Sequence, residues 1–219
     1  MSFNTKRLEI CMTSLLFFLM SLVVTSTVKA QTEVSHPSRV LFISQVRGTE
    51  CCDVGSQEML EEQIGFFNEN ELSASFAVRY DALVDPEFQK LFLSLDPGRF
   101  ELGAFLEITP ELAKVSGVDY LGTTDNWYQA QHAYPIGYSL EDRKKLIDTV
   151  MQQFYKNFGR YPAFTAGWMV DTASLNYLRE QYGTTIHEMT REQWGTDSYT
   201  LAGGPFHYPY LARKDWAFL

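Results

Sequence analysis

Two carboxylates, Glu107 and Asp171, stand at the ends of two separate apolar runs, Leu102 to Leu106 and Phe164 to Val170. Carboxylates carried on two elements that share a cleft can cleave an acetal without a metal. One acts as nucleophile or base and the other, its pKa raised by burial, acts as acid. His187 and Glu188 follow a third run, Thr184 to Ile186, and are further candidates for proton transfer. Arg47 closes the run Val40 to Val46, and Arg79, Tyr80 and Asp81 close Ser75 to Val78. Arg47 and Arg191 can hold substrate hydroxyls or a carboxylate, or lower a neighbouring carboxyl pKa. Tyr80 and Asp81 complete a polar rim, and Trp168 and Trp127 are flat surfaces on which a sugar ring can stack. Other readings stand beside these. Glu107, just before Ile108-Thr109-Pro110, can accept backbone N–H groups at a helix start, Asp171 can be an N-cap, and His187 can be a satisfied structural histidine.

What must position these groups is a parallel sheet. The five runs are short, rich in β-branched and aromatic residues, and most are followed by a helical pattern. That alternation predicts an α/β fold with right-handed crossovers. In such folds chemistry collects at the carboxyl ends of the strands. The strands are expected at Val40–Val46, Leu72–Val78, Phe100–Leu106, Ala163–Val170 and Thr184–Ile186. A helix follows from Gln57 to Asn68, with Ser56 as its cap. Asp85-Pro86 opens the next, with Pro at its first position, and Thr109-Pro110-Glu111 starts a short one that stops at Gly117. From Tyr120 to Tyr138 there is no clear period, and a loop this long is often functional. Ser139-Leu140-Glu141-Asp142 has the capping-box form, and the helix it starts carries Leu146, Val150, Phe154 and Phe158 at a spacing of four. Thr172 or Ser174 caps a helix that ends at Gly183. Residues 191–219 fit no element. Five units are fewer than a closed barrel needs, so the barrel is expected to be distorted or incomplete, or the chain to be a fragment of a longer one.

Residues 1–30 read as a secretory signal. Lys6 and Arg7 precede an apolar core from Cys11 to Val24, and Val28-Lys29-Ala30 sets small residues at a cleavage site. An uncleaved anchor is the alternative; otherwise the barrel domain occupies 31–219, exported and without stable membrane insertion. The formal net charge is -9, and the part after the signal is more acidic still, which argues against nucleic acid and anionic membranes as partners. Aromatics at 15% suit a neutral sugar as well as a large core. Cys51 and Cys52 are adjacent, with Cα atoms about 3.8 Å apart, short for a disulfide. A strained vicinal bond shaping a loop, two free thiols and a bond to another chain all remain open. No Cys or His spacing of a zinc site is present, and no cofactor is implied.

Several segments resemble the polysaccharide deacetylase superfamily, the NodB-type barrels related to glycoside hydrolases. Phe100-Glu101-Leu102-Gly103 resembles the family's H-E-[IL]-G segment. Phe158-Gly159-Arg160-Tyr161-Pro162-Ala163-Phe164 resembles its G-x-x-P stretch, and Leu175-Asn176-Tyr177-Leu178 with Tyr182-Gly183 resembles the helix that follows. Arg47-Gly48 with Cys51-Cys52, Phe105 to Pro110 and Trp168-Met169-Val170-Asp171 are similar to a divergent bacterial branch of deacetylase-like proteins. The likeness covers roughly residues 38 to 190. It implies a (β/α) barrel of the deacetylase/glycoside hydrolase type acting on a polysaccharide or oligosaccharide.

The departures bear on mechanism. Where the family has T-F-D-D this chain has Ser44-Gln45-Val46-Arg47, and its H-x-x-x-H positions fall on Phe105 and Thr109. Without that Asp and the two His, the family's Lewis acid has no expected ligands. The expectation is a secreted, metal-independent carbohydrate hydrolase using Glu107 and Asp171. The alternatives are an inactive glycan-binding relative and, third, a deacetylase with metal ligands drawn from Asp81, His132, Asp171 or His187.

Overall fold

The computed structural model describes residues 40–50, 55–189 and 211. Its five strands are β1 (Ile43–Val46), β2 (Ala74–Val78), β3 (Phe100–Phe105), β4 (Thr165–Gly167) and β5 (His187–Met189). All pair in parallel, and their spatial order is their chain order. A doubly wound sheet reverses its strand order partway; this one does not. It also curls. A flat sheet with strands about 4.8 Å apart would hold its first and fifth strands roughly 19 Å apart. Here the Gln45 side chain of β1 donates to Glu188 of β5 at 3.4 Å. The architecture is an incomplete parallel (β/α) barrel, as the alternation predicts.

The helices are α1 (Ser56–Glu69), α2 (Tyr80–Val84), α3 (Pro86–Leu93), α4 (Pro110–Val115), α5 (Ala130–Ala133), α6 (Leu140–Phe158) and α7 (Thr172–Tyr182), with a 3-10 turn at Pro135–Gly137. Strand residues alternate between two cores. Phe76, Val78, Phe100, Leu102 and Ala104 join the larger core, with Leu60 and Ile64 of α1 and Phe88 and Phe92 of α3. Ala77, Phe105 and Ala166 face the other way, into a smaller core closed by Ala130, Ala133 and Tyr134 from the long loop. The larger core is stabilised chiefly by α6, which buries Leu146, Ile147, Val150, Met151 and Phe154. Each such side chain contributes about 1.5–3 kcal/mol on burial. The interior is tight at Gly103, where a Cβ would lie 2.5 Å from the Phe164 ring, so only glycine lets that ring cross β3.

Several boundaries differ from expectation, each for a local reason. Helix α1 is capped by Gly55 in the left-handed conformation, and Ser56 is its first residue, its hydroxyl bonded instead to the Gly48 carbonyl at 3.4 Å. Asp171 caps α7, accepting from the Ser174 amide, so neither Thr172 nor Ser174 does. The Tyr120–Tyr138 segment contains α5 and the 3-10 turn. The fifth strand begins at His187, not Thr184, because its ladder with β4 starts at the Thr165–His187 pair. His187 and Glu188 therefore lie within the strand and not beyond its end. The signal segment 1–30, Cys51 and Cys52, Arg191 and the rest of 191–219 apart from Leu211 lie outside the described residues.

Candidate functional site

The carboxyl ends of β1, β2 and β3 carry Arg47, Arg79 and Glu107, one or two residues past each strand. Alternation points all three into the barrel. Phe105, two residues before Glu107, lies in the interior core, and Arg79 is two residues after interior Ala77. Glu107 is 2% exposed and Arg79 1% exposed, so neither is hydrated. Their mutual satisfaction is what makes the burial tolerable. Arg47 binds Glu107 in the bidentate manner, Nε donating to Oε1 at 3.0 Å and Nη2 to Oε2 at 2.7 Å. Arg79 donates from Nη1 to Glu107 Oε1. Its other edge grips Asp81, Nε to Oδ1 at 2.8 Å and Nη2 to Oδ2 at 2.6 Å. The Tyr134 hydroxyl reaches Glu107 Oε2 at 3.5 Å.

The result is a chain of alternating charge, Arg47–Glu107–Arg79–Asp81, with equal numbers of cations and anions. Asp81 also accepts from the Glu50 amide at 3.1 Å. Burial pushes its carboxyl up, but the Arg79 guanidinium outweighs burial and holds it below the usual range. Burial likewise works against the Arg47 charge, and the Glu107 hydrogen bond and charge outweigh it, leaving Arg47 above its ordinary value. Gly48 is required here: a Cβ would stand 2.8 Å from Asp81 Cγ and 2.9 Å from the Ala82 amide nitrogen.

Around Arg47 lies an aromatic wall. Its guanidinium sits 5.2 Å from the Phe105 ring centroid and 5.8 Å from that of Trp168. Tyr134 stacks on Trp168 with centroids 5.8 Å apart at 28°. The Arg47 side chain keeps 30% of its surface exposed, and Trp168 is half-buried. Trp168 Nε1 donates to Gln45 Oε1 at 3.2 Å, and Gln45 Nε2 donates to Glu188 Oε2 at 3.4 Å. Burial pushes the Glu188 carboxyl up, the Gln45 hydrogen bond opposing it only in part.

The remaining sequence candidates lie elsewhere. Asp171 belongs to a different network: it caps α7 and binds Arg143 Nη1 at 3.0 Å. Arg143 in turn donates to the carbonyls of Tyr138 and Ile136, at 2.7 and 2.9 Å. Both oxygens of Asp171 are engaged, Oδ1 by the Ser174 amide and Arg143 and Oδ2 by the Ser174 hydroxyl. Glu107 and Asp171 thus share no partner. Tyr80 is 4% exposed and packs in the larger core, away from the rim, because α2 begins directly after Arg79 and turns it inward. His187 alternates to the opposite face from Glu188, pairs with Thr165 at 2.7 Å, and is lowered by burial to about 4. Trp127 packs edge-on against Tyr128 in the long loop, with centroids 6.1 Å apart. Among the described residues no three His, Cys, Asp or Glu side chains converge as metal ligands.

Three members of the site are not among the sequence candidates. Arg79 carries a signal, a lone arginine at a strand end two residues from Asp81. Gln45 carries a weaker one, the i, i+2 spacing that puts it on the face of Arg47. Tyr134 carries none, since the loop that delivers it has no period.

No family model and no curated protein sequence matches the chain. Among solved structures it is similar to the peptidoglycan deacetylase PdaC from Bacillus subtilis. The TM-score is 0.35 and the identity 13%, over 74% of this chain and 79% of that one. A mutant of the same deacetylase gives the same values.

Proposed function

We propose that this chain is an exported, carbohydrate-directed protein that binds a polysaccharide or oligosaccharide at the carboxyl ends of its strands, with Glu107 and Asp171 as structural and not catalytic carboxylates. The observation that carries this reading is the clamp on Glu107. A carboxylate that holds two guanidiniums in a buried chain cannot take up a proton or attack an anomeric carbon without leaving a guanidinium uncompensated, at a cost of several kcal/mol. Asp171 is similarly committed to a helix cap and Arg143. What is left to meet a ligand is half-buried Trp168 with the partly exposed Arg47 beside it, a stacking face flanked by hydrogen-bond donors. Secretion and cleavage near residue 30 belong to the same proposal.

A second reading, a metal-independent hydrolase, has one observation in its favour: Glu188 is an interior carboxyl whose pKa is raised by burial, as a general acid requires. One experiment separates the two. The protein is incubated with a panel of glycans, released acetate and new reducing ends are assayed, and binding is measured in parallel, with Glu107→Gln and Asp171→Asn alongside. Binding without product in wild type supports the proposal. Reducing ends that disappear on Glu188→Gln support the hydrolase. Acetate release abolished by a chelator supports a metal-dependent deacetylase.

A further inference from the structure

We infer that Glu188, aligned by Gln45, is the specificity-determining group of this site: it hydrogen-bonds to an oxygen of the sugar whose ring stacks on Trp168. The inference rests on the glycan-binding reading above and adds to it a named contact. The indole nitrogen of Trp168 can only donate. Its bond to Gln45 Oε1 therefore fixes the amide orientation and turns the Gln45 NH2 toward Glu188. The three side chains come from β1, β5 and the end of β4, and the Gln45–Glu188 bond spans 143 residues of sequence. They form one relay across the barrel interior, with a stacking surface at one end and a carboxyl at the other.

Only Glu188 Oε2 is bound by Gln45, and among the described residues Oε1 has no hydrogen-bond partner. Glu188 is half-buried, and that second oxygen is not among the buried unpartnered atoms, so it is open to a ligand. Of the described groups around it, the Gln45 hydrogen bond alone favours the charged form. Neighbouring β4 presents Ala166, opposite Glu188 in the ladder, and uncharged Trp168. Gln45 of β1 is neutral, and His187 on its own strand is turned to Thr165. Arg47, Arg79, Glu107 and Asp81 are bonded to one another. Burial raises the carboxyl and the Gln45 hydrogen bond opposes it in part; the protonated form of the group can donate to a sugar oxygen.

The test is calorimetric titration of the full chain with cellohexaose and with chitohexaose between about pH 4 and pH 8, a span that begins near the ordinary carboxyl value and extends above it. Wild type, Glu188→Gln, Glu188→Ala, Gln45→Leu and Trp168→Ala are compared, each checked by thermal melting. The neutral form binds, so wild-type affinity falls as pH rises through the Glu188 pKa. Glu188→Gln, neutral at every pH, removes that dependence while retaining affinity. Glu188→Ala loses roughly tenfold, the worth of about one hydrogen bond. Gln45→Leu removes the bond that opposes the upward shift, so the falling limb moves to higher pH, which a purely structural role would not do. If Trp168→Ala abolishes binding while Glu188→Ala binds like wild type, or the wild-type profile is as flat as that of Glu188→Gln, this inference falls and the glycan-binding reading stands. If wild type binds neither hexaose, both fall.

Discussion

The two halves of the strand-end rim are built on opposite principles. Past β1, β2 and β3 the polar groups are charged and paired with one another: Glu107, Arg79 and Asp81 are almost fully buried, and only the outer side of Arg47 is left for a ligand. Past β4 and within β5 the groups are sparsely bonded, Trp168 and Glu188 sharing two long hydrogen bonds with Gln45 of β1. The contrast teaches that the presence of carboxylates and arginines at strand ends is weak evidence of catalysis. Buried charges must be compensated, and the cheapest compensation in a curled sheet is the charge on the next strand. The less saturated side is where a bound molecule improves the free energy most.

The largest expected effect breaks the saturated half. Glu107→Ala leaves Arg79 buried beside a single carboxylate and should destabilise the fold by about 3–5 kcal/mol, measured by urea unfolding. A loss under about 1 kcal/mol would mean that the cluster is hydrated and not a structural tie. A second effect is carried by pH. His187 is held neutral, its pKa lowered by burial to about 4. The unfolded chain therefore takes up a proton that the folded chain refuses. Stability should be complete above about pH 6.5 and fall as pH drops from there toward about 4, by up to roughly 3 kcal/mol. His187→Gln should flatten that part of the stability–pH curve. Asp81, whose folded pKa lies below the usual range, adds a loss at still lower pH, since its stabilisation is present above the unfolded value and disappears as the folded carboxylate is protonated.

Asp171→Ala should cost about 1 kcal/mol, the usual value of an N-cap, without touching ligand binding. A greater loss of binding than of stability would join Asp171 to the ligand site and erase the distinction between the two halves. The smallest effect is expected at the exposed Arg160–Glu101 pair, 3.2 Å apart with each side chain about half exposed. Arg160→Ala should change stability by less than about 1 kcal/mol, which sets the scale for what burial adds at Glu107.

Much of the scaffold is legible in the sequence because it is governed by local rules. Pro86 and Pro110 at helix starts, the Ser139 cap, and Gly159 and Gly183 at helix ends each announce a boundary, and α6 is readable from its spacing of four. The strands are less so. β4 and β5 are three residues each, and their ladder depends on curl and register, which periodicity does not carry. The site is legible as a set of residue types and opaque as a set of partners. Arg47 and Glu107 are 60 residues apart and Gln45 and Glu188 are 143 apart, and only the closing of the sheet decides that the first pair locks and the second stays open. Tyr80 shows the converse, since a polar residue at a strand end enters the core once α2 starts at once.

The most direct test of the account is to measure glycan binding and product release together for wild type, Trp168→Ala and a folded Glu107→Gln. The account predicts that wild type binds without releasing acetate or reducing ends and that Trp168→Ala abolishes binding. It is contradicted if wild type turns a glycan over and Glu107→Gln stops that turnover while still binding it.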